Sequence, residues 1–153
     1  MKWPMMVLLA VVSSCGGSSR TPEERLVGYW SYSNPVGGNG IELQFTGTTY
    51  MSRDWQLVSL TSTPAYQEVQ TGEYSATDTE ITYTPTSSTC PGPAPVYTGS
   101  YSFDEDRLAI VESTRAFTLV RRTGPASTDG TIFFGCFQPD GSFVQSPFGP
   151  VGN

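Results

Sequence analysis

Alternation of apolar and polar residues along short stretches is the feature that most constrains the fold of this chain. In the stretch GIELQF, Ile41, Leu43 and Phe45 share one parity, and Glu42 and Gln44 share the other. This period of two is typical of a strand that is buried on one face only. We assign eight stretches to strands on this basis, at residues 26–33, 40–45, 49–60, 68–76, 80–86, 96–103, 107–112 and 115–122.

Short turns separate these stretches, and no helical period appears between residues 26 and 122. Sequential strands joined by short turns predict an antiparallel meander. Eight such strands can close into an up-and-down barrel, which leaves no exposed edge. We therefore predict an all-β fold whose barrel occupies residues 26–122.

The remaining residues, 123–153, are predicted to add a β-hairpin and a tail to the same domain. Two aromatic-rich runs flank the sequence Pro139-Asp140-Gly141. This sequence is typical of the turn in a hairpin, so we assign a ninth and a tenth strand to the two runs.

Two positions disturb the alternation. Arg53 shares its parity with the apolar residues Met51 and Trp55, so it is either a charge inside the barrel or the mark of a bulge between them. Pro64 breaks the pattern between the third and fourth strands.

The composition argues against several classes of function. The chain has 153 residues, a formal net charge of −6 and 14 acidic residues, and its only lysine is Lys2. An acidic balance argues against nucleic acid as a partner. Histidine is absent, which removes the usual general base, the nucleophile–histidine pairs and histidine metal ligands. We therefore predict a protein that is not an enzyme and has no cofactor or metal; paired carboxylates are the catalytic alternative left open.

The first residues have the features of an export leader. Lys2 precedes an apolar run, Met5 to Val12, that is too short to span a bilayer, and small residues then lead to Cys15. The order Val12-Ser13-Ser14-Cys15 resembles the lipobox of bacterial lipoproteins. This resemblance implies a signal peptide at residues 1–14, lipid attachment at Cys15 and a flexible tether at residues 15–25. An ordinary secretory leader with an incidental cysteine is the alternative.

The same resemblance implies a location in the bacterial cell envelope. Gly16 follows the lipid-bearing cysteine, and by resemblance this favours the outer membrane. Cys90 and Cys136 would then lie in an oxidising compartment, so we predict that they form a disulfide. Two free thiols are the first alternative. A metal site is the second, but without histidine it lacks the usual set of ligands.

The start of the first strand adds a second resemblance. The triplet Gly28-Tyr29-Trp30 resembles the G-x-W signature of lipocalins, in which the tryptophan packs at the closed end of the barrel against an arginine from the last strand. Arg121, or its neighbour Arg122, occupies the matching place here. The T-D-Y motif of lipocalins is absent, since the chain reads FDEDRL at that point, and no helix follows the eighth strand. The chain is therefore lipocalin-like, in the manner of small bacterial lipoproteins.

The barrel aromatics suggest a site for a small hydrophobic ligand. We assign Trp55, Tyr74, Tyr101 and Phe103 to an upper cavity. The alternative is that they only fill the barrel, because eight strands enclose little more than the volume of their side chains. The acidic run at residues 104–106 suggests calcium, but such a run is far more often a solvated turn.

These observations lead to two hypotheses of function. The first is a lipid-anchored envelope protein that binds a small hydrophobic ligand in its barrel. The second is a barrel that binds another envelope protein through its loops, as an inhibitor or scaffold, because the rigid CPGPAP loop at Cys90 would be tied to Cys136.

Overall fold

The computed structural model describes residues 20–34, 36–59, 62–125, 132–140 and 142–146. The fold is all-β apart from one short helix, which confirms the predicted class. The eight predicted strands correspond to β1–β8, and the predicted hairpin corresponds to β9 and β10. The elements are α1 (Pro22–Leu26), β1 (Gly28–Asn34), β2 (Asn39–Thr46), β3 (Thr49–Ser59), β4 (Ser62–Ala76), β5 (Glu80–Ser88), β6 (Tyr97–Asp104), β7 (Arg107–Val111), β8 (Ala116–Arg122), β9 (Ile132–Phe137) and β10 (Phe143–Gln145).

Each of the strands β1 to β8 pairs in antiparallel fashion with the next one along the chain. β8 then pairs with β1 and closes the ring, so the predicted up-and-down barrel is confirmed. We call the end that carries α1 the closed end. The opposite end, which carries the β7–β8 turn, is the open end.

The helix α1 seals the closed end. Thr21 forms a capping box with Glu24, and Pro22 occupies the first turn, where its missing N–H is not needed. Leu26 is fully buried, and the Glu23 carboxylate accepts a hydrogen bond of 3.1 Å from the backbone N–H of Ala76. Residues 22–25, which the sequence analysis assigned to the tether, therefore form part of the folded domain, because the cap and this contact hold them against β4.

The core fills the half of the barrel nearest the closed end. Aromatic rings in this half pack edge to face, as in the contact of Phe45 with Tyr74, whose centroids are 4.8 Å apart. The buried hydrophobic cluster comprises Leu26, Trp30, Leu43, Phe45, Tyr50, Tyr74, Ile81, Tyr83, Tyr101, Leu108, Ile110 and Leu119.

The two disturbances in the pattern have different outcomes from those predicted. The pairing of β2 with β3 is continuous, so no bulge lies between Met51 and Trp55. Arg53 is not an interior charge either: it pairs with Glu42 on the face opposite the core, at 3.1 Å between Arg53 Nη1 and Glu42 Oε1. β4 runs through Pro64, which lies at a register shift between β3 and β4, where a missing N–H removes no regular ladder bond.

The hairpin of β9 and β10 extends the sheet at the open end. β5 pairs with β4 over residues 70–76, and β9 runs parallel to β4 at residues 65–67. The predicted disulfide between Cys90 and Cys136 is confirmed, with their Cα atoms 4.7 Å apart. The Thr89 hydroxyl reinforces this link by donating to the carbonyl oxygen of Gly135 at 2.6 Å. The loop after β5 is thereby fixed to the hairpin.

Candidate ligand-binding site

The structure brings Gly28, Trp30 and Arg121 together at the closed end. The Arg121 guanidinium lies 4.1 Å from the centroid of the Trp30 ring, and the indole N–H donates to the Leu26 carbonyl at 2.7 Å. Gly28 has φ of +134°, and a Cβ there would lie 3.0 Å from Arg121 Nη1. Only glycine accommodates both this backbone conformation and the close arginine.

Three of the four residues assigned to an upper cavity also pack at the closed end. Tyr74 and Tyr101 are 4% and 5% exposed, and the Tyr101 hydroxyl donates to the carbonyl of Thr77. Phe103 packs against Trp30 with 5.8 Å between ring centroids. These side chains fill the barrel beside α1, so their assignment to an upper cavity is corrected.

Trp55, the fourth of these residues, is not inside the barrel. It pairs with Gly40 on the face of β3 opposite to Tyr50 and Ser52. Its ring covers Gly40 so closely that a Cβ on the glycine would lie 2.4 Å from a ring carbon. The hydrophobic parity of β3 predicted the wrong interior face, although Trp55 does reach a cavity at the rim of the open end.

A polar layer lies above the closed end, formed by three tyrosines and a glutamine. Tyr50 and Tyr97 both donate to Gln70 Oε1, at 2.7 and 2.9 Å. Tyr83 packs between them, with its ring centroid 4.9 Å from that of Tyr50 and 4.8 Å from that of Tyr97. The Tyr83 hydroxyl is buried and has no hydrogen-bond partner among the described residues.

These phenols are neutral donors at any physiological pH. Burial raises the pKa of Tyr97 to about 12, with a smaller contribution from the charge of Glu112. Burial also raises the pKa values of Tyr50 and Tyr83 well above the ordinary range. The layer therefore carries neutral hydroxyl groups and no charge.

A layer of charged side chains lies at the open end. Arg115, in the β7–β8 turn, reaches Asp54 on β3 at 2.7 Å and Glu112 at 2.6 Å, and it stacks over the ring of Phe117 at 5.2 Å. Burial alone would lower the pKa of Arg115, but the charge of Asp54 and the hydrogen bond to Glu112 outweigh it and raise the pKa. The arginine thus stays charged and ties β3 to the β7–β8 turn.

Glu68 lies on the same rim of the barrel as Asp54, its partner across the β3–β4 ladder. Its carboxylate accepts a hydrogen bond of 2.9 Å from the backbone N–H of Phe137 on β9. Burial raises the pKa of Glu68 above its ordinary value, and the neighbouring charge of Asp54 acts in the same direction. The carboxylates of Asp54 and Glu68 therefore lie near each other at this rim.

Two adjoining cavities open among these residues. β1 and β8 pair only between residues 29–31 and 120–122 and diverge beyond them towards the open end. The larger cavity, about 500 Å³, lies between the diverging strands; Tyr32, Ile41, Ile110, Val111, Arg115 and Phe117 are among its walls. The smaller one, about 300 Å³, shares Tyr32 and Ile41 with it and is also lined by Asp54, Gln56, Trp55 and Phe137.

The sequence did not predict Asp54 or Arg115 as residues of the site. The only local signal for Asp54 was the parity it shares with Tyr50, and the apolar residues of opposite parity on β3 outweighed it. The contact between Arg115 and Asp54 joins residues 61 positions apart, which no local period can indicate.

Two places were considered for a metal, the cysteine pair and the acidic run at residues 104–106. Glu68, Cys90 and Cys136 place three potential ligand atoms within 4.8 Å, but both sulfur atoms belong to the disulfide. The acidic run at residues 104–106 forms the β6–β7 turn, and in the described ranges its carboxylates do not gather into such a group.

Comparisons with known proteins add no relatives: no family model, curated protein or solved structure matches this chain. Within the part of the chain that the structure describes, no helix is long and apolar enough to cross a bilayer.

Proposed function

We propose that this protein is a lipocalin-like envelope lipoprotein that binds a small, largely apolar ligand at the open end of its barrel. The observation that carries the proposal is the cavity of about 500 Å³ between β1 and β8. Its volume lies within the range of small-molecule sites, and mainly apolar walls with a few polar groups are typical of such sites.

The closed half of the barrel supports the site without contributing to it. Trp30 and Phe45 are fully buried and occupy the interior beside α1. Among the described residues of the barrel interior, a ligand has room above this packing, where Ile41 and Phe117 offer apolar surface and Arg115 lies at the polar rim. Burial of a ligand against such walls supplies about 25 cal/mol per Å² of apolar area.

The leader supports the anchoring part of the proposal. The chain that follows a lipid-bearing Cys15 would join the barrel at α1, which lies at the closed end. The open end would therefore face away from the anchor. Cys15→Ser is expected to move the protein from the membrane to the soluble fraction of cells. Retention of this variant in the membrane would contradict a lipid anchor and its envelope location.

A direct test uses the neutral apolar dye N-phenyl-1-naphthylamine, whose fluorescence rises in apolar surroundings. We expect the full chain carrying Cys15→Ser to bind the dye. Ile41→Trp, which enlarges a wall shared by both cavities, should weaken binding by about tenfold, equivalent to about 1.4 kcal/mol. Val120→Trp is the matched control, because Val120 is 47% exposed and lines neither cavity.

The outcome separates binding in the cavities from adhesion to the surface. Equal dye binding by the Ile41→Trp and Val120→Trp variants would refute the proposed site. Circular dichroism melts of both variants show whether the barrel remains folded, so a loss of binding can be assigned to the cavity.

The loop after β5 favours a second candidate, a barrel that binds another envelope protein. Residues 91–93 are exposed, Val96 is 61% exposed, and the loop is fixed through Cys90 to the hairpin. A stoichiometric envelope partner that is lost with Val96→Asp and retained with Ile41→Trp would favour this function over ligand binding.

A further inference from the structure

One oxygen of the Asp54 carboxylate lacks a hydrogen-bond donor. Asp54 Oδ2 accepts from Arg115 at 2.7 Å, but Oδ1 is buried and has no partner in the part of the chain that the structure describes. Buried polar atoms are nearly always hydrogen-bonded, and an ionised oxygen without a donor is costly. The arrangement therefore leaves a position for a donor beside Asp54.

The surroundings of this oxygen favour a positively charged donor. Asp54 lines the cavity of about 300 Å³ together with the aromatic side chains of Tyr32, Trp55 and Phe137. Aromatic faces attract ammonium groups, and the attraction strengthens where water is excluded. An aromatic enclosure with one available carboxylate oxygen is suited to an ammonium group.

The local charge disfavours an anion in the same place. Arg115 already binds both Asp54 and Glu112, so these three groups sum to a charge of −1 when ionised (two carboxylates and one guanidinium). Glu68, opposite Asp54 on β4, adds another carboxylate to the rim. A ligand carboxylate would approach this excess of negative charge at close range and be repelled by it.

We infer that the ligand is an amphipathic amine whose ammonium group donates a hydrogen bond to Asp54 Oδ1 and whose apolar part occupies the larger cavity. The two cavities share Tyr32 and Ile41, so one molecule can span both. This inference rests on the proposed function and specifies the chemical class of its ligand.

The test compares three probes that share a ten-carbon chain: decylamine, decanol and decanoate. Each displaces N-phenyl-1-naphthylamine from the full chain carrying Cys15→Ser at pH 7. We expect decylamine to displace the dye at a concentration about tenfold lower than decanol, and decanoate to be the weakest, since an ionic partner in a desolvated site contributes more than a neutral one.

Asp54→Asn tests the residue that receives the ammonium group. It should reduce the advantage of decylamine over decanol to about threefold or less, because the asparagine keeps the shape but loses the charge. Asp78→Asn is the control for general charge effects, because Asp78 is exposed in the β4–β5 turn at the closed end. This control should keep the full advantage.

The possible results are distinguishable. If decanoate or decanol binds as tightly as decylamine to the unsubstituted site, the ammonium inference is overturned and the proposed apolar site stands. An amine advantage that persists in Asp54→Asn also overturns it. If neither the dye nor any probe binds, the proposed function itself fails. The comparison of the three probes needs no Asp54 variant, so it remains decisive even if that variant does not fold.

Discussion

Removing a single hydroxyl group should stabilise this protein at Tyr83 and destabilise it at Tyr50. The Tyr83 hydroxyl is buried without a partner, whereas the Tyr50 hydroxyl donates to Gln70 Oε1 at 2.7 Å. An unsatisfied buried hydroxyl costs about 1–3 kcal/mol, and a satisfied hydrogen bond contributes about 1 kcal/mol. We therefore expect Tyr83→Phe to raise the free energy of unfolding by about 1 kcal/mol and Tyr50→Phe to lower it by a similar amount.

The two variants form a matched pair because each ring lies in the same aromatic layer and is at most 3% exposed. Gln70 Oε1 keeps its bond from Tyr97 in the Tyr50→Phe variant, so that variant loses one bond and leaves no orphaned acceptor. For a domain of this size, 1 kcal/mol shifts Tm by about 2–4 °C. The Tm of Tyr83→Phe should therefore exceed that of Tyr50→Phe by about 4–8 °C.

Thermal melts and urea titrations without added ligand measure both differences. The slope of the urea titration should stay constant, because neither variant changes the surface exposed on unfolding. A Tyr83→Phe variant destabilised as much as Tyr50→Phe would refute the reasoning, since it would mean that the Tyr83 hydroxyl is paired.

Three further predictions concern the closed end, the disulfide and alkaline pH. Arg121→Ala should lower the free energy of unfolding by about 1–2 kcal/mol through loss of the contact with the indole, and the exposed Arg122→Ala should change it by less than about 0.5 kcal/mol, as measured in urea. Joint replacement of Cys90 and Cys136 by alanine should cost about 4 kcal/mol in the chain-entropy model for a separation of 46 residues; a calorimetric loss below about 1 kcal/mol would show that the hairpin detaches separately from the barrel. Burial raises the pKa of Tyr97 to about 12, above the value of 10 expected in the unfolded chain, so its contribution to stability is complete below pH 10 and is lost as the pH rises to 12. The urea midpoint should fall between pH 10 and 12, and less steeply in Tyr97→Phe.

The strands and their order could be predicted because local residues determine them. Ile41, Leu43 and Phe45 alternate with polar residues, and the structure places Leu43 and Phe45 in the core. The position of Trp30 at the start of β1 and of Arg121 near the end of β8 indicated which ends of these strands would meet. Both inferences use only the alternation of apolar residues and the order of the strands along the chain. In a meander with short turns, strands that follow one another in sequence are also neighbours in the sheet.

The face of β3 that points into the barrel could not be predicted, because this face is polar at the open end. Ser52 and Asp54 point to the same side as Tyr50, and the more apolar residues Met51 and Trp55 point outward. A hydrophobic pattern identifies the inside only where the inside is apolar. The rule therefore failed at the part of the barrel that holds the candidate site, and such local failures are expected at functional sites.

The two ends of the barrel differ in how their side chains affect stability, and this difference suggests a reason for the polar open end. Apolar packing stabilises the closed end, where Trp30, Leu108 and Leu119 are fully buried. At the open end, the ion pair of Asp54 and Arg115 leaves one Asp54 oxygen without a donor in the described part of the chain, which lowers stability, and well-packed apolar residues in place of ion pairs are often neutral or stabilising. Stability alone therefore does not account for these groups. A ligand that supplies a donor to Asp54 would satisfy an oxygen that the chain leaves without one, and its binding would stabilise the folded state. A rise in Tm with decylamine that is absent with decanoate would connect the polar end to binding rather than to folding.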